Sequence, residues 1–445
     1  TARTPMTVSH LGQGKPTLSL QSTAMARRRL SRWPFKATIR ALLTWPATLF
    51  SRRFVGSTVK ILHTSDWHLG RTFLSESMHT HQETFIDWLV AYVAEQKVEL
   101  VVIAGDIYDR AVPPAESVQL FDRALIGLSS VCLVFITPGN HDSAVRLGFG
   151  SGLMSANGVH IRSTISEIGT PLEITGRDGV ELVVYGIPYL QPEVVFTELG
   201  SERTHTGVLT AAMATVRSDL VLRGDVRSMV VSHAFITGGS GSESERSLEI
   251  GGIGDAPSSI FTGVDYTAMG HLHGAQVISS PEDSATIVKY SGSPLPYSYS
   301  EENHQKSVTL VQISQSGPIS YENIVTPVPG PLVTITGELD ALLTDSIFGG
   351  AEGSWVRAIV IDPVRQERSW ERLIHRFPHL KQIEFHPQGG LGARSIHERL
   401  DPQNTPAIDI TAGFVGHVTS GHISDPQRSL VQEAIEHVNL NGAAP

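Results

Sequence analysis

Five short apolar runs in this 445-residue chain each end in side chains of the types that bind metal ions. In chain order, the five ends are Asp66-Trp67-His68, Gly105-Asp106, Gly139-Asn140-His141-Asp142, His233 and Gly270-His271-Leu272-His273. Alternate residues of an extended chain point to the same side, so the Asp-x-His and His-x-His pairs can each present two donors to one ion. Each motif is weak by itself, but their shared position after an apolar run predicts one common site.

The donor types indicate which ions such a site would hold. Carboxylate, imidazole and amide groups suit cations such as Mn²⁺, Fe²⁺ or Zn²⁺, and no cysteine is among them. The single cysteine of the chain, Cys132, lies in the apolar run 131–136 and is expected to be a buried core thiol. Two cations about 3.5–4 Å apart, bridged by one carboxylate, would form a two-metal centre for phosphoryl chemistry.

The elements that must position these residues are short strands alternating with helices. The predicted strands are near-continuously apolar, which is typical of central strands, and cover residues 59–63, 100–104, 132–137, 181–187, 229–232 and 285–290. The carboxyl ends of parallel strands meet at one rim of an α/β sheet, where ligand sites form. The pattern therefore predicts a layered α/β domain with its site at that rim.

Two helix starts can be read between the first strands. Thr80 and Glu83 have the spacing of a capping box, which predicts the beginning of a helix there. Pro113-Pro114 predicts the start of a second helix that would bury Val118, Phe121 and Leu125 on one face.

A proline-rich segment at 326–331 predicts a boundary between domains. Beyond it, residues 332–385 show a strand–helix–strand–helix–strand pattern, and the Gly-rich residues 387–424 are expected to be loop-like. A final amphipathic helix is predicted to begin at Asp425-Pro426. These observations predict a main domain at 59–327, a smaller α+β domain at 328–420 and a terminal helical segment at 421–445.

The net charge of −10 is the sum of two unlike parts. Residues 1–57 carry ten basic side chains and no acidic one, so the remainder carries a net charge of −20. A body this acidic does not indicate nucleic-acid binding through bulk charge. For the basic extension 1–58, three interpretations remain open: an over-extended start or disordered tail, a disordered functional arm, or a targeting segment. No run of 18 apolar residues predicts a membrane span, and a cytoplasmic location is expected.

The five strand-end motifs resemble the signature of the calcineurin-like metallophosphoesterases. Longer segments resemble the SbcD-type nuclease subunits of that superfamily, namely residues 64–71, 105–110, 242–246, 290–295 and 297–300. The resemblance covers residues 59–313 closely. It implies an α/β fold with a four-layer sandwich, in which helices flank two sheets, and a smaller α+β cap domain.

The resemblance also implies a role for each motif residue. One metal would be bound by Asp66, His68 and His273. The other would be bound by Asn140, His233 and His271, with Asp106 bridging the two. His141 would be the catalytic histidine that is not a ligand, with Asp142 orienting it, and Asp109 and Arg110 would contact substrate.

By the same resemblance, the chain would be a DNA nuclease with two divalent metal ions, with Mn²⁺ as the expected ion. It would act as a duplex exonuclease and as a single-strand or hairpin endonuclease in DNA repair and recombination. An SbcC-type SMC-like ATPase would be its partner, docked by 421–445, in a heterotetramer built on a homodimer. The alternative is a stand-alone metallophosphoesterase for nucleotides or phosphoproteins. A non-catalytic scaffold is disfavoured because all seven implied ligands are present.

Overall fold

The computed structural model describes residues 58–74, 76–176, 179–245, 255–281, 284–387, 406–419 and 423–441, so the interpretations of residues 1–57 lie outside it. The strands are β1 Val59–Thr64, β2 Thr72–Phe73, β3 Glu76–Ser77, β4 Leu100–Ala104, β5 Leu133–Thr137, β6 Val159–Ile161, β7 Leu172–Thr175, β8 Glu181–Ile187, β9 Arg227–His233, β10 Tyr266–Gly270, β11 Gln276–Ile278, β12 Ile287–Tyr290, β13 Ser307–Ile313, β14 Ser320–Val325, β15 Leu332–Gly337, β16 Trp355–Val360 and β17 Leu380–Phe385. The α-helices are α1 His79–Gln96, α2 Ala115–Ser129, α3 Ala144–Leu147, α4 Ser151–Ser155, α5 Pro192–Leu199, α6 His205–Arg223, α7 Leu339–Thr344, α8 Ser369–Arg376, α9 Ala407–Thr419 and α10 Asp425–Asn441.

Two six-stranded sheets form the main body. The first has the order β14-β13-β1-β4-β5-β6, with β1, β4, β5 and β6 parallel and β13 and β14 added by antiparallel pairing. The second has the order β11-β12-β10-β9-β8-β7, with four parallel central strands and an antiparallel strand at each edge. The carboxyl ends of the parallel strands within each sheet therefore lie at one rim.

The sheets face each other across an apolar core. Ile61 and Val102 of the first sheet share this core with Val184 and Val231 of the second. Residues of α1 and α2 cover the outer face of the first sheet, and residues of α6 cover that of the second. Both faces of the central strands are thus buried, which explains their continuous apolar runs. The expected four-layer α/β sandwich is confirmed.

A smaller group of elements has its own core. Strands β15, β16 and β17 form a parallel sheet, and Leu339 of α7 and Leu373 of α8 pack against Val356. The predicted order of elements over 332–385 agrees with this structure.

The C-terminal part differs from the sequence prediction in one element. Helix α9 lies within the segment that was expected to be loop-like, so that prediction was wrong. The helix contains glycines and several β-branched residues, whose low helix propensity hid it. Helix α10 begins at Asp425 as predicted, and Arg428 pairs with Asp409 of α9 at 2.5 Å.

Of the two predicted helix starts near the site, the start of α2 is confirmed and the capping box predicted for α1 is not. Helix α1 begins at His79, so Thr80 lies inside it and the predicted capping box is wrong; the Ser77 hydroxyl accepts from the His79 N–H at 3.3 Å instead. Helix α2 begins directly after Pro114, as predicted, but its Val118 is 46% exposed because Leu120 and Ala124 face the sheet. Among the described residues, no helix is long and apolar enough to cross a membrane.

Candidate metal centre

The structure brings all five motifs to one rim of the two sheets. Each predicted donor lies at or directly after the carboxyl end of a strand: Asp66 and His68 after β1, Asp106 after β4, Asn140 and His141 after β5, His233 at the end of β9, and His271 and His273 after β10. Because β1, β4 and β5 are parallel neighbours in one sheet, and β9 and β10 in the other, these ends converge where the sheets meet.

Asp66, His68 and His273 form a first donor group. One ligand atom from each lies within 4.8 Å of the other two, and all three residues are buried. The Nε2 atoms of His68 and His273 are 3.1 Å apart. Two ring nitrogens facing each other at this distance cannot both carry a proton, so at least one of them has a lone pair on this side.

Asn140, His233 and His271 form a second donor group beside the first. The Asn140 Oδ1 atom lies 2.9 Å from Nε2 of His233 and 3.2 Å from Nδ1 of His271. Asp106 reaches both groups, since its Oδ2 atom is 3.4 Å from Nε2 of His233 and 3.8 Å from Nε2 of His68. Asp106 therefore lies between the two donor groups, within 4 Å of a ring nitrogen in each.

Four of these donors have a left-handed backbone. The φ angles are 54° at Asp66, 44° at His68, 50° at Asp106 and 108° at His271. Such a conformation costs roughly 1–3 kcal/mol per residue, and a cluster of such residues is typical of a functional site. Backbone hydrogen bonds hold it here, for the Asp66 N–H donates to the Gly105 carbonyl and the His68 N–H to the Asp106 carbonyl, both at 3.0 Å.

Glycines next to the donors make this close packing possible. A Cβ atom at Gly139 would lie 2.2 Å from Oδ1 of Asp106, and one at Gly105 would lie 2.3 Å from Nδ1 of His233. Gly105 also has a φ of +81°. The glycine that precedes Asp106 and the one that precedes Asn140 are therefore required by the cluster itself.

Burial and mutual charge set the protonation of the cluster. Burial holds the pKa of His68 and of His271 well below 6.5, so both rings are neutral and can offer lone pairs. Burial also opposes a charge on His233, but Asp106 outweighs it and raises the pKa of His233 to about 9. Burial raises the pKa of Asp66 to about 6. The neutral rings of His68 and His271, the carboxylates and the Asn140 amide are donors that fit divalent cations, whereas His233 must release its proton to bind one.

His141 stands at the open side of the cluster. Its Nδ1–H donates to the carbonyl oxygen of Asp109 at 2.8 Å, which leaves Nε2 as the nitrogen that faces the donors. That Nε2 atom is 3.9 Å from Oδ2 of Asp106, and the side chain is 13% exposed. His68, Asp106 and His141 also lie close enough together to hold an ion, so distance alone permits either a ligand or an acid–base role for His141.

Asp142 is placed differently from the expectation. Its carboxylate accepts from the backbone N–H groups of Ile107 at 3.1 Å, Tyr108 at 3.0 Å and Gly139 at 2.9 Å. These bonds clamp the loop after β4 to the loop after β5. The expected contact with the His141 ring is therefore replaced by that of the Asp109 carbonyl, and Asp142 acts on the loops that carry the donors.

Asp109 and Arg110 lie in the loop between β4 and α2. The Asp109 carboxylate accepts from Arg71 at 3.3 Å and lies 3.7 Å from Nδ1 of His68, whereas Arg110 is exposed. Substrate contact by either residue stays a prediction. Arg71 also donates to the Ser244 carbonyl at 2.7 Å and so joins two loops of the site.

Three residues behind His273, namely Ser244, Glu301 and Lys306, are not among the predicted site residues. Nδ1 of His273 is 2.7 Å from the Ser244 hydroxyl and 3.2 Å from Oε1 of Glu301, and Glu301 forms a buried ion pair with Lys306. Burial alone would raise the pKa of Glu301, but the Lys306 charge and the His273 hydrogen bond lower it. The available signal was the position of Ser244 in segment 242–246, and of Glu301 directly after segment 297–300.

Residues 297–302 also contact the smaller group of elements. The Arg357 guanidinium lies over the Tyr299 ring at 5.0 Å, and the Glu302 carboxylate accepts from the Thr334 hydroxyl at 2.5 Å. This short segment therefore joins the donor cluster to strands β15 and β16.

Comparisons with known sequences identify proteins that are similar to this chain. The profile of the calcineurin-like phosphoesterases matches residues 59–275. The SbcD subunit of the nuclease SbcCD from Escherichia coli K12 is 31% identical over 295 residues, which cover 64% of this chain and 72% of that protein. The same values hold for the corresponding protein of Escherichia coli O157:H7.

Two solved structures were also found to be similar. They are GAP50, the anchor in the inner membrane complex of Plasmodium (15% identity, TM-score 0.37, 60% of this chain and 84% of that one), and the calcineurin-like phosphoesterase YfkN of Bacillus subtilis (11% identity, TM-score 0.30, 60% and 89%). Both TM-scores are below 0.5, so the similarity to the two sequence relatives is the more informative one.

Proposed function

This chain belongs to the SbcD family of nuclease subunits, within the calcineurin-like phosphoesterases, and on that premise we propose that it is a two-metal DNA nuclease. The observation that carries the proposal is the position of Asp106 between two buried donor groups. A single carboxylate that reaches both groups is what a pair of ions acting on one phosphate requires. We propose Mn²⁺ as the ion on the basis of the family, since oxygen and imidazole donors accept it as they accept Fe²⁺ or Zn²⁺.

The ligand assignments are part of the proposal. Asp66, His68 and His273 would hold one ion, Asn140, His233 and His271 the other, and Asp106 both. When bound, the two cations would supply the positive field and Lewis acidity that an acidic protein needs to attract and polarise a phosphodiester.

His141 would serve as the acid for the leaving oxygen. Its Nδ1–H is committed to the Asp109 carbonyl, so only Nε2 can exchange a proton with substrate. An imidazole can give and regain a proton in the neutral pH range, which suits it to general acid–base catalysis. Asp142 supports this role at a distance, since it fixes the loops that carry Asp106 and His141.

We assign the chemistry to residues 59–327, a substrate-facing cap to 328–420 and partner docking to 421–445. The proposed partner is an SbcC-type SMC-like ATPase. Its docking is supported by a large apolar side chain that α10 leaves in solvent, since Leu430 is 68% exposed. Deletion of 421–445 should abolish association with that ATPase in a pull-down, and unchanged association would refute the assignment.

A homodimer is proposed through the segment that follows His141. Val145, Phe149 and Leu153 are spaced four residues apart and are 87%, 83% and 80% exposed. Three large apolar side chains this close in the sequence are rarely left in solvent by a monomer, and we propose that a second copy of the same chain covers them.

The deciding experiment is a nuclease assay on labelled duplex and hairpin DNA. Purified protein is tested with Mn²⁺ or Mg²⁺, with and without the ATPase subunit and ATP, against a chelator control. Cleavage that requires the metal supports the proposal. Hydrolysis of nucleotides or phosphopeptides without any cleavage of duplex or hairpin DNA would favour the stand-alone phosphoesterase instead.

A further inference from the structure

A buried carboxylate lies directly behind one proposed ligand. The His273 ring presents Nε2 to the first donor group, where it is 3.1 Å from Nε2 of His68. Its other nitrogen, Nδ1, faces away from the group and meets Oε1 of Glu301 at 3.2 Å and the Ser244 hydroxyl at 2.7 Å. Glu301 is only 1% exposed, so water does not compete for this contact.

The hydrogen bonds among Glu301, Ser244 and Nδ1 of His273 are consistent with one placement of the protons. The carboxylate of Glu301 can only accept, and the Ser244 hydroxyl donates to it. The proton between these groups and His273 must therefore be carried by Nδ1. With Nδ1 protonated, Nε2 of His273 keeps its lone pair and directs it into the donor group, as a metal ligand must.

Lys306 fixes the carboxylate in this position. Its ammonium pairs with Oε2 of Glu301 and also donates to the His273 carbonyl at 3.0 Å and to the Ser293 hydroxyl at 2.9 Å. All three of its N–H bonds are thus used, and the residue is 5% exposed. The ion pair consequently holds both the ring and the backbone of His273.

We propose that Glu301 is a positioning residue that orients His273 and strengthens binding of the ion held by Asp66, His68 and His273. The inference rests on the proposed function, because it takes that donor group to be a cation site. Glu301 itself contacts neither the ion nor the substrate.

The test measures metal binding rather than turnover. In Glu301→Gln, the side chain keeps its size and one acceptor oxygen but loses the charge. Calorimetric titration with Mn²⁺ should show one of two sites weakened about 10- to 100-fold and the other unchanged. The visible absorption of bound Co²⁺ should change with it. The matched control is Glu302→Gln, since the neighbouring Glu302 contacts Thr334 and should leave both sites at wild-type affinity.

A second variant separates positioning from folding. Loss of the Glu301 charge leaves Lys306 buried without its counter-ion, which can destabilise the fold. The double variant Glu301→Gln/Lys306→Met removes both charges and should melt close to the wild-type Tm while still binding one Mn²⁺ weakly. Wild-type affinity at both sites in either variant would overturn the inference. If the wild-type protein bound no Mn²⁺ at all, the proposed function would fail and the inference with it.

Discussion

The role of His141 is the part of the proposed chemistry that an experiment can refute most directly, because the geometry allows its ring to be either a metal ligand or a general acid. His68, Asp106 and His141 are close enough to hold an ion together, yet both donor groups are complete without His141. The informative change is His141→Asn, whose amide can still donate to the Asp109 carbonyl but has no nitrogen that titrates. Loss of that 2.8 Å hydrogen bond would alone cost about 1 kcal/mol, so its retention keeps the structural effect small.

The expected result is a large loss of turnover with the metal retained. A missing general acid lowers kcat by about 10²- to 10⁴-fold, which corresponds to roughly 2.7–5.4 kcal/mol of barrier. Cleavage of labelled duplex DNA gives kcat, and plasma mass spectrometry gives the metal content. The control is His160→Asn, since His160 lies on β6 and bonds to Ser155. Loss of metal in His141→Asn, or a kcat within tenfold of wild type, would refute the assignment.

Three further predictions concern metal, pH and assembly. Removal of metal with a chelator should abolish activity and lower the Tm, because Mn²⁺ at 100 times its Kd adds about 2.7 kcal/mol to the free energy of unfolding. An unchanged Tm would contradict binding of the metal to the folded state. Burial, together with the charge of Lys289, lowers the pKa of His63 to about 3, whereas the unfolded chain takes up that proton near pH 6.5. The free energy of unfolding should therefore fall by about 2 kcal/mol from pH 7 to pH 5 through this residue, and urea unfolding should show a smaller loss in His63→Gln. Phe149→Glu should convert a dimer to a monomer in light scattering with the Tm preserved, and an unaltered mass would exclude the proposed interface.

The donor cluster could be predicted from the sequence because two simple signals coincided there. Each apolar run was long enough to be a buried strand, and each ended in a residue of a type that can bind metals. Parallel pairing then brings these residues together, because β1, β4 and β5 must all end at the same rim of the sheet. The pairing of donors across the two sheets, such as Asn140 with His233 and His271, needed the packing of the sandwich.

The supporting residues could not be predicted in the same way. Glu301 lies 28 residues after His273, and nothing local marks a glutamate as the partner of a particular ring. Asp142 was expected to act on its neighbour His141, but backbone amides from the loops after β4 and β5 compete for its oxygens. Val118 was predicted to be buried but is exposed in the structure. Helical periodicity shows that α2 has an apolar face, but it does not fix how the helix is rotated on the sheet.

Because the backbone is left-handed at four donors, the effect of a substitution there depends on whether the new residue tolerates that conformation. At Asp66 and Asp106, with φ near 50°, alanine would add a conformational penalty to the loss of the carboxylate. Asparagine tolerates this region and keeps the shape, and glycine removes the penalty together with the side chain. The measured effect of an alanine substitution at this rim would therefore combine the cost of the backbone conformation with the loss of metal affinity. A comparison of asparagine with glycine at the same position would separate them.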